Sequence, residues 1–552
     1  MKKSPLQRVR AEYQPKLPKT LREGPVKLEF GAPTESVADQ EEIKKLFPNT
    51  YGLPIVEFKR DENPQRVEEP FNVGIILSGG QAPGGHNVVS GIFDALKKLN
   101  KENRLYGFLM GPAGFINHQY VELTEGYIKD YRNTGGFDII GSGRTKLENP
   151  DQFDAGLKIL KELNIKALVI IGGDDSNTNA CVLAEYYKAK GEEIQVIGVP
   201  KTIDGDLKNK WIETSFGFDT ACKVYSEVIG NIQRDCNSAK KYYHFIKLMG
   251  RSASHIALEC ALETQPNYCL ISEEIQAKRM TLDNIVNSLC YMIVERAKMG
   301  WNFGTVLVPE GLIEFIPSMK VLIQQLNDIL ANHAEELEPL VEVEKLEAIA
   351  KYLEPAEAEL FRSLPKNIAL QLSLDRDSHG NVQVSLIDTE CLLASMVATR
   401  LEQLEQEGEY SGKFATQHHF FGYEGRCADP TNFDADYCYS LGYNATMLIN
   451  SGVTGYMSSV RNLTDKPENW IAGGIPITMM MNMEKRNGHM KPVIQKALVD
   501  LKGKPYLKYA SMRETLMLNT LYQYPGPIQY FGPAEVCDRP SMTLLLEHDK
   551  EI

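Results

Sequence analysis

VGIIL at residues 73–77, running straight into SGGQAPGGHN at 78–87, is the stretch that decides the fold. A short apolar run with no polar alternation reads as a strand covered on both faces, and the turn after it opens a helical pattern from Asn87 to Leu99. The same unit recurs: ALVII (167–171) runs into GGDDSNTNA, IQVIGV (194–199) into PKTIDGDL, and TVLV (305–308) into PEG. A further helical stretch covers Asp151 to Leu163. Strands alternating with helices imply a parallel sheet. The polar, glycine-rich segments all follow strands, so they are expected on the carboxyl edge, where open α/β sheets bind ligands.

The rest of the chain bounds this core. Its 552 residues predict two large domains or more, and 43% hydrophobic with 24% charged residues is ordinary for a soluble globular protein. With 60 Lys plus Arg against 73 Asp plus Glu, the net charge is −13, which argues against a general nucleic-acid binder but not against a small anionic ligand. The opening MKKSPLQRVRAEYQPKLPKT has no apolar core and so is no secretory signal, and no run approaches the ~18 apolar residues of a membrane span. Ten cysteines without a CxxC pair read as buried, reduced thiols in a cytoplasmic protein.

Residues 1–70, rich in Pro and charge, read as an extension wrapped on the surface or packed on a neighbour. From 318 the alternation breaks. Apolar residues at helical spacing (Leu322, Leu326, Ile329, Leu330, then Leu337, Leu340, Val341) predict an inserted helical hairpin within 318–365, part of a helical region reaching about 400. Strand-like sequence resumes with FATQHHFFGYEGR (414–426).

Each turn has a chemical reading beside a plain one. SGGQAPGGHN lets backbone approach an anion at a helix start, or is only a tight strand-to-helix turn; it is neither a Walker A loop nor GxGxxG. In GGDDS (172–176) an Asp can hold magnesium, a cation that takes hard oxygen ligands, or can cap the next helix. PKTIDGDL (200–207) brings Lys201, Asp204 and Asp206: a carboxylate able to act as general base, with a lysine able to meet phosphate. GSGRTK, LMGRSASH and YEGR supply Arg144, Arg251 and Arg426, and arginine reads phosphate bidentately.

Taken in order, SGGQAPGGHN, GSGRTK, GGDDS, PKTIDGDL, FGFDT, LMGRSASHIALE, PEGL and YEGR make the chain from about 71 to 540 resemble the phosphofructokinase family. Within it, the resemblance is to the long pyrophosphate-dependent branch related to the β subunit of the plant enzyme. It implies two Rossmann-like three-layer α/β/α domains: 71–215 with about 427–490 binding diphosphate and magnesium, and 216–426 with about 491–552 binding fructose 6-phosphate. It implies reversible phosphoryl transfer from diphosphate to the sugar C1 hydroxyl. Gly80, Arg144 and Lys201 would meet diphosphate, Asp174 the magnesium ion, and Asp204 would accept the hydroxyl proton. Thr202, Ile203, Met249, Gly250, Arg251 and Glu310, with Tyr423, Glu424, Gly425 and Arg426, would line the sugar phosphate. Lys241 and Tyr242 match positions that reach the substrate from an adjacent subunit, which implies a homodimer with shared sites; ATP-dependent relatives carry Arg where Tyr242 stands. His418 and His419 are further candidates near the sugar.

The resemblance also carries the choice of donor. ATP-using members have Gly at the positions of Asp175 and Lys201. A carboxylate ~4 Å from an α-phosphate charge, at an effective dielectric of about 20, would repel it by roughly 4 kcal/mol, on the order of a thousandfold. Lys201 would supply charge where the nucleoside's contact area is lost. An ATP-dependent phosphofructokinase, another kinase sharing the GGD turn, or a non-catalytic sugar-phosphate-binding subunit are the competing readings. The last two fit poorly, because PKTIDGDL and MGR stand together here and because Asp174 and Asp204 are both present.

Overall fold

The strand Asn72–Leu77 is followed by a helix, Gly85–Leu99, and the next units repeat the pattern: strand Ile165–Gly172 into helix Asp174–Ala189, and strand Gln195–Pro200 into the turn at 201–207. These assignments come from a computed structural model that describes residues 3–62, 64, 69–374, 383–486 and 489–552. Strand Asn72–Leu77 is parallel to Arg104–Phe108 on one side and to Ile165–Gly172 on the other, and Gln195–Pro200 and Tyr456–Arg461 continue the parallel run. Nearly every residue of the central strands is buried, which is why they lack polar alternation.

Helices cover both faces of this sheet. Phe153, Leu157 and Leu160, with Ala180, Leu183 and Tyr187, join Ile76, Leu168 and Ile170 in one core. Helices Gly85–Leu99 and Asn432–Asn450 pack closely enough that a Cβ on Gly91 would meet the Tyr439 carbonyl oxygen at 2.3 Å. A Cβ on Gly442 would meet that of Val88 at 2.1 Å, so only glycine allows this approach.

The chain divides into two compact units, Met1–Ala221 with Tyr423–Ala497 and Ile528–His548, and Cys222–Gly422 with Leu498–Pro527 and Asp549–Ile552. Tyr423–Arg426 and residues 528–548 thus group with the first unit, where the sequence reading had placed them in the second. The second unit is built on a four-stranded parallel sheet in the order Thr416–Phe421, Tyr243–Leu248, Gly304–Pro309, Tyr268–Cys269.

Two further expectations change. Residues 1–70 do more than wrap the surface. Val26–Pro33 and Pro54–Arg60 pair antiparallel and extend the large sheet to nine strands through Ile471–Pro476. Arg10 is 2% exposed, donating to Asn432 Oδ1 (2.6 Å) and the Pro430 carbonyl (3.0 Å) between the rings of Tyr13 and Tyr530. The alternation that identifies Pro54–Arg60 is short: only Val56 and Phe58 are fully buried along it.

Among the described residues the helical insert is not a hairpin but a series of five helices, Pro317–Asn332, Ala334–Leu337, Glu342–Tyr352, Pro355–Ser363 and Lys366–Leu372, with Thr389–Gln406 beyond them. Pro339, Pro355 and Pro365 fall between or at the start of the last three and prevent one helix from continuing into the next. Leu322, Leu326, Ile329 and Leu337 are buried in the second unit's core, Leu330 and Leu340 pack on it, and Val341 is exposed just before its helix. Eight of the ten cysteines are buried. Among the described residues no helix is long and apolar enough to cross a membrane.

Candidate active site

Backbone hydrogen bonds draw the turns of the first unit together before any side chain is considered. Ser78 N–H donates to the Ile171 carbonyl (2.9 Å), Gly79 N–H to Gly143 (2.9 Å), and Lys201 N–H to Gly172 (2.9 Å). The turns after three parallel strands and the GSGRTK loop are therefore laced into one surface. Ser176 Oγ donates to Ser78 Oγ (2.8 Å) and reinforces it. Gly79 has φ +84°, a left-handed conformation that side chains resist.

Cations converge on this glycine surface. A Cβ on Gly79 would lie 3.5 Å from Lys201 Nζ, and one on Gly173 would lie 4.0 Å from it. A Cβ on Gly80 would lie 2.9 Å from Arg426 Nη1 and 3.6 Å from Arg144 Nη2. Arg144 and Arg426, 282 positions apart by their numbers, thus meet over Gly80, and Lys201 stands over Gly79. Any bulkier residue at these glycines would collide with the guanidinium or fill the space an anion needs.

Carboxylates oppose the cations. Burial pushes the Lys201 ammonium down to about 8; repulsion by Arg426 acts the same way, while Asp204 and Asp174 draw it back up. Arg426 Nη2 is 4.0 Å from Asp204 Oδ1. That oxygen is buried and has no hydrogen-bond partner, so it is an acceptor prepared for a proton or a hydroxyl. Asp204 N–H donates to Thr202 Oγ1 (3.0 Å), and the Thr202 carbonyl accepts from Ser215 Oγ (2.9 Å), which fixes the turn that carries it. Ile203 is buried beneath that turn.

Gly173 takes the N-cap position of helix Asp174–Ala189, and Asp174 and Asp175 are its first two residues. Both therefore stand in the first turn, and neither is the N-cap itself. Among the described residues no group of three or more His, Cys, Asp or Glu is arranged to hold a metal ion. A single carboxylate completed by substrate phosphates is a different case, and Asp174 can serve as that carboxylate. Magnesium keeps several waters and is bound by one or two carboxylates plus substrate phosphates, so the donor set of Asp174 with an anion's oxygens is of the kind it takes.

Three contributions come from the structure. Asp206, one of the two carboxylates that the sequence offers in this turn, is buried, and that burial, reinforced by the charge of Asp204, raises its pKa. Lys496 Nζ stands 3.7 Å from Asp174 Oδ2 and 3.9 Å from Asp206 Oδ2; it follows the last strand of a hairpin and carries no motif. Asp434 accepts from Gly217 N–H (3.2 Å), Thr220 N–H (2.9 Å) and Thr220 Oγ1 (2.6 Å), while Thr431 Oγ1 donates to Asp219 (2.7 Å). This clamp explains FGFDT: it anchors the segment that follows Tyr423–Arg426. In that short helix Gly425 is buried, Tyr423 is 67% exposed and Glu424 is exposed.

The second unit carries its own turn cluster at the carboxyl ends of its strands. After Tyr243–Leu248 come Met249, Gly250 and Arg251; after Gly304–Pro309 comes Glu310. Gly250 N–H donates to Glu310 Oε2 (2.8 Å), Glu310 N–H to the Leu248 carbonyl (2.9 Å), and Met249 N–H to Phe421 (3.0 Å). Lys241 and Tyr242 sit before the same strand, so six residues, or roughly 20 Å, separate them from Met249 within one chain. His419 Nε2 meets His244 Nδ1 at 3.0 Å with the rings stacked, and His418 and His419 lie along strand Thr416–Phe421 rather than in the turn beyond it.

Comparison with known proteins places the chain. It is 60% identical over 551 residues to the pyrophosphate–fructose 6-phosphate 1-phosphotransferase of Porphyromonas gingivalis, covering 99% of each chain. It is 52% identical over 531 residues to subunit beta 1 of the Arabidopsis thaliana enzyme of that name, covering 96% of this chain and 92% of that one. Among solved structures, the pyrophosphate-dependent phosphofructokinase of Marinobacter aquaeolei shares the fold, with a TM-score of 0.53, 16% identity, and coverage of 82% of this chain and 93% of that one. The Phosphofructokinase family profile matches residues 72–449, and with such relatives matching nearly end to end, the chain belongs to the phosphofructokinase family.

Proposed function

We propose that the protein is a diphosphate–fructose-6-phosphate 1-phosphotransferase: it moves a phosphoryl group reversibly from diphosphate to the C1 hydroxyl of fructose 6-phosphate, giving fructose 1,6-bisphosphate and phosphate. The names of the near full-length relatives support the reaction. The observation that carries the choice of donor is the buried Lys201 ammonium over Gly79 and Gly173, a charge suited to a small, highly anionic donor.

In this reading Arg144, Arg426 and Lys201 hold the diphosphate oxygens over Gly79 and Gly80, and Asp175 keeps a nucleotide's α-phosphate out by repulsion. Met249, Gly250, Arg251 and Glu310 hold the sugar phosphate, with Thr202, Ile203 and residues 423–426 bounding it. Asp204 accepts the C1 hydroxyl proton as the oxygen bonds to phosphorus, and the bridging P–O bond breaks so that the other phosphate leaves. Asp174 would hold a magnesium ion, which would supply charge neutralisation to the transferring group. Lys201 does the same from the protein side, where positioning and electrostatics supply most of the rate.

Lys241 and Tyr242 are presented by a neighbouring subunit in a homodimer. Their place at the opposite end of the strand from Met249 supports this, since one chain does not bring them to its own turn. The site of action is the cytoplasm. The test is a donor comparison on purified protein with fructose 6-phosphate and magnesium: formation of fructose 1,6-bisphosphate with diphosphate and little with ATP is expected. Turnover with ATP alone would replace this reading by the ATP-dependent one.

A further inference from the structure

Lys496 belongs to none of the motifs, yet the chain is built to place it. Strands Met481–Arg486 and His489–Ile494 pair antiparallel, with Met481 opposite Ile494, and deliver the next residues to the site. Gln495 N–H donates to the Met480 carbonyl (2.9 Å) and Ala497 N–H to the Asp206 carbonyl (2.7 Å), so backbone on both sides of Lys496 is pinned. Its ammonium lies 3.7 Å from Asp174 and 3.9 Å from Asp206, and its side chain is 29% exposed. It is therefore at the edge of the cluster, partly open to solvent. Both distances exceed a tight hydrogen bond, as suits an ion pair that can be exchanged.

An ammonium and a divalent cation compete for the same oxygens of Asp174, and they repel each other at such range. When metal diphosphate arrives, Asp174 has a stronger partner and the donor's oxygens bring new negative charge within reach of a four-carbon stem. On the reading above, we infer that Lys496 is an exchanging cation of the donor site: it occupies Asp174 and Asp206 in the absence of metal, and turns to the diphosphate oxygens when metal diphosphate binds. It thereby makes free metal a poor ligand and metal diphosphate a good one, coupling the two bindings.

The experiment uses the protein as wild type, Lys496→Met and Lys496→Arg, titrated with Mn2+ and read by the electron paramagnetic resonance signal of the free ion, and separately with Mn2+ diphosphate, read by equilibrium dialysis of labelled diphosphate at saturating Mn2+. Lys496→Met should bind free Mn2+ about tenfold more tightly than wild type, because a competing charge is gone. The same variant should bind Mn2+ diphosphate about 10- to 100-fold more weakly, the loss of one charge-assisted contact. Lys496→Arg should return both values toward wild type. A merely structural lysine would weaken both or neither, and either result overturns the inference. Wild type that fails to bind Mn2+ diphosphate at all would instead remove the proposed function, and this inference with it.

Discussion

In the first unit, Lys201, Arg144, Arg426 and Lys496 crowd against Asp174, Asp204 and Asp206, drawn from segments between Gly79 and Lys496. In the second, main-chain donors tie the turn Met249–Arg251 to its neighbours: the Gly250 N–H meets a Glu310 carboxylate oxygen, and two strand-end hydrogen bonds flank it. The two regions sit on the same kind of strand edge and both are laced by main-chain hydrogen bonds, but the first adds a crowd of opposed cations and carboxylates. That added charge is suited to a donor that is nearly all phosphate.

Substitutions should separate the two designs. The largest effect is expected at Asp204, whose buried oxygen makes no hydrogen bond and is the proposed proton acceptor. Asp204→Asn should lower kcat by about 10²–10⁴-fold. Equilibrium binding of fructose 6-phosphate should stay near wild type, and full turnover in the variant would end the base assignment. Next comes donor choice: Asp175→Gly should shift the ratio of kcat/KM for ATP over diphosphate upward, by as much as about a thousandfold if the repulsion were unscreened. Steady-state kinetics with both donors decide it, and an unchanged ratio would break the electrostatic account.

In the other region, Glu310→Ala leaves the Gly250 N–H without its acceptor and should raise KM for fructose 6-phosphate by roughly 10- to 100-fold while leaving KM for diphosphate alone. Glu310→Gln keeps an acceptor and should recover most of the loss. The smallest effect is a pH dependence. Lys201 is pushed down to about 8, so kcat/KM for diphosphate should fall as pH rises through that value, when the ammonium loses its proton. Bound diphosphate favours the ammonium, so the plateau of kcat should extend to higher pH than that of kcat/KM. Lys201→Arg should flatten the fall, and a profile that keeps its shape in that variant would point to another group.

Much of this was legible because parallel strands announce themselves. VGIIL and ALVII are apolar on both faces, so strand, turn and rim follow directly from their order. The insert was harder: helical spacing of apolar residues in Leu322–Val341 pointed to a hairpin, while the prolines, local events, divided it into shorter helices. Pro54–Arg60 was missed because two buried residues in seven give a weak alternation that only a neighbouring strand can confirm. Among site residues, those in glycine-flanked turns were found and Lys496 was not, since a lysine after a hairpin resembles any surface lysine.

Read alone, the chain determined the strand–turn–helix units, the residues on their carboxyl edge and the family, because periodicity and ordered motifs are properties of neighbours in sequence. Only the tertiary structure decided that Arg144 and Arg426 meet over Gly80, that the buried oxygen of Asp204 makes no hydrogen bond, and that Lys496 stands between Asp174 and Asp206. Those are properties of distance through space, where a charge acts over a few ångströms regardless of how many residues lie between.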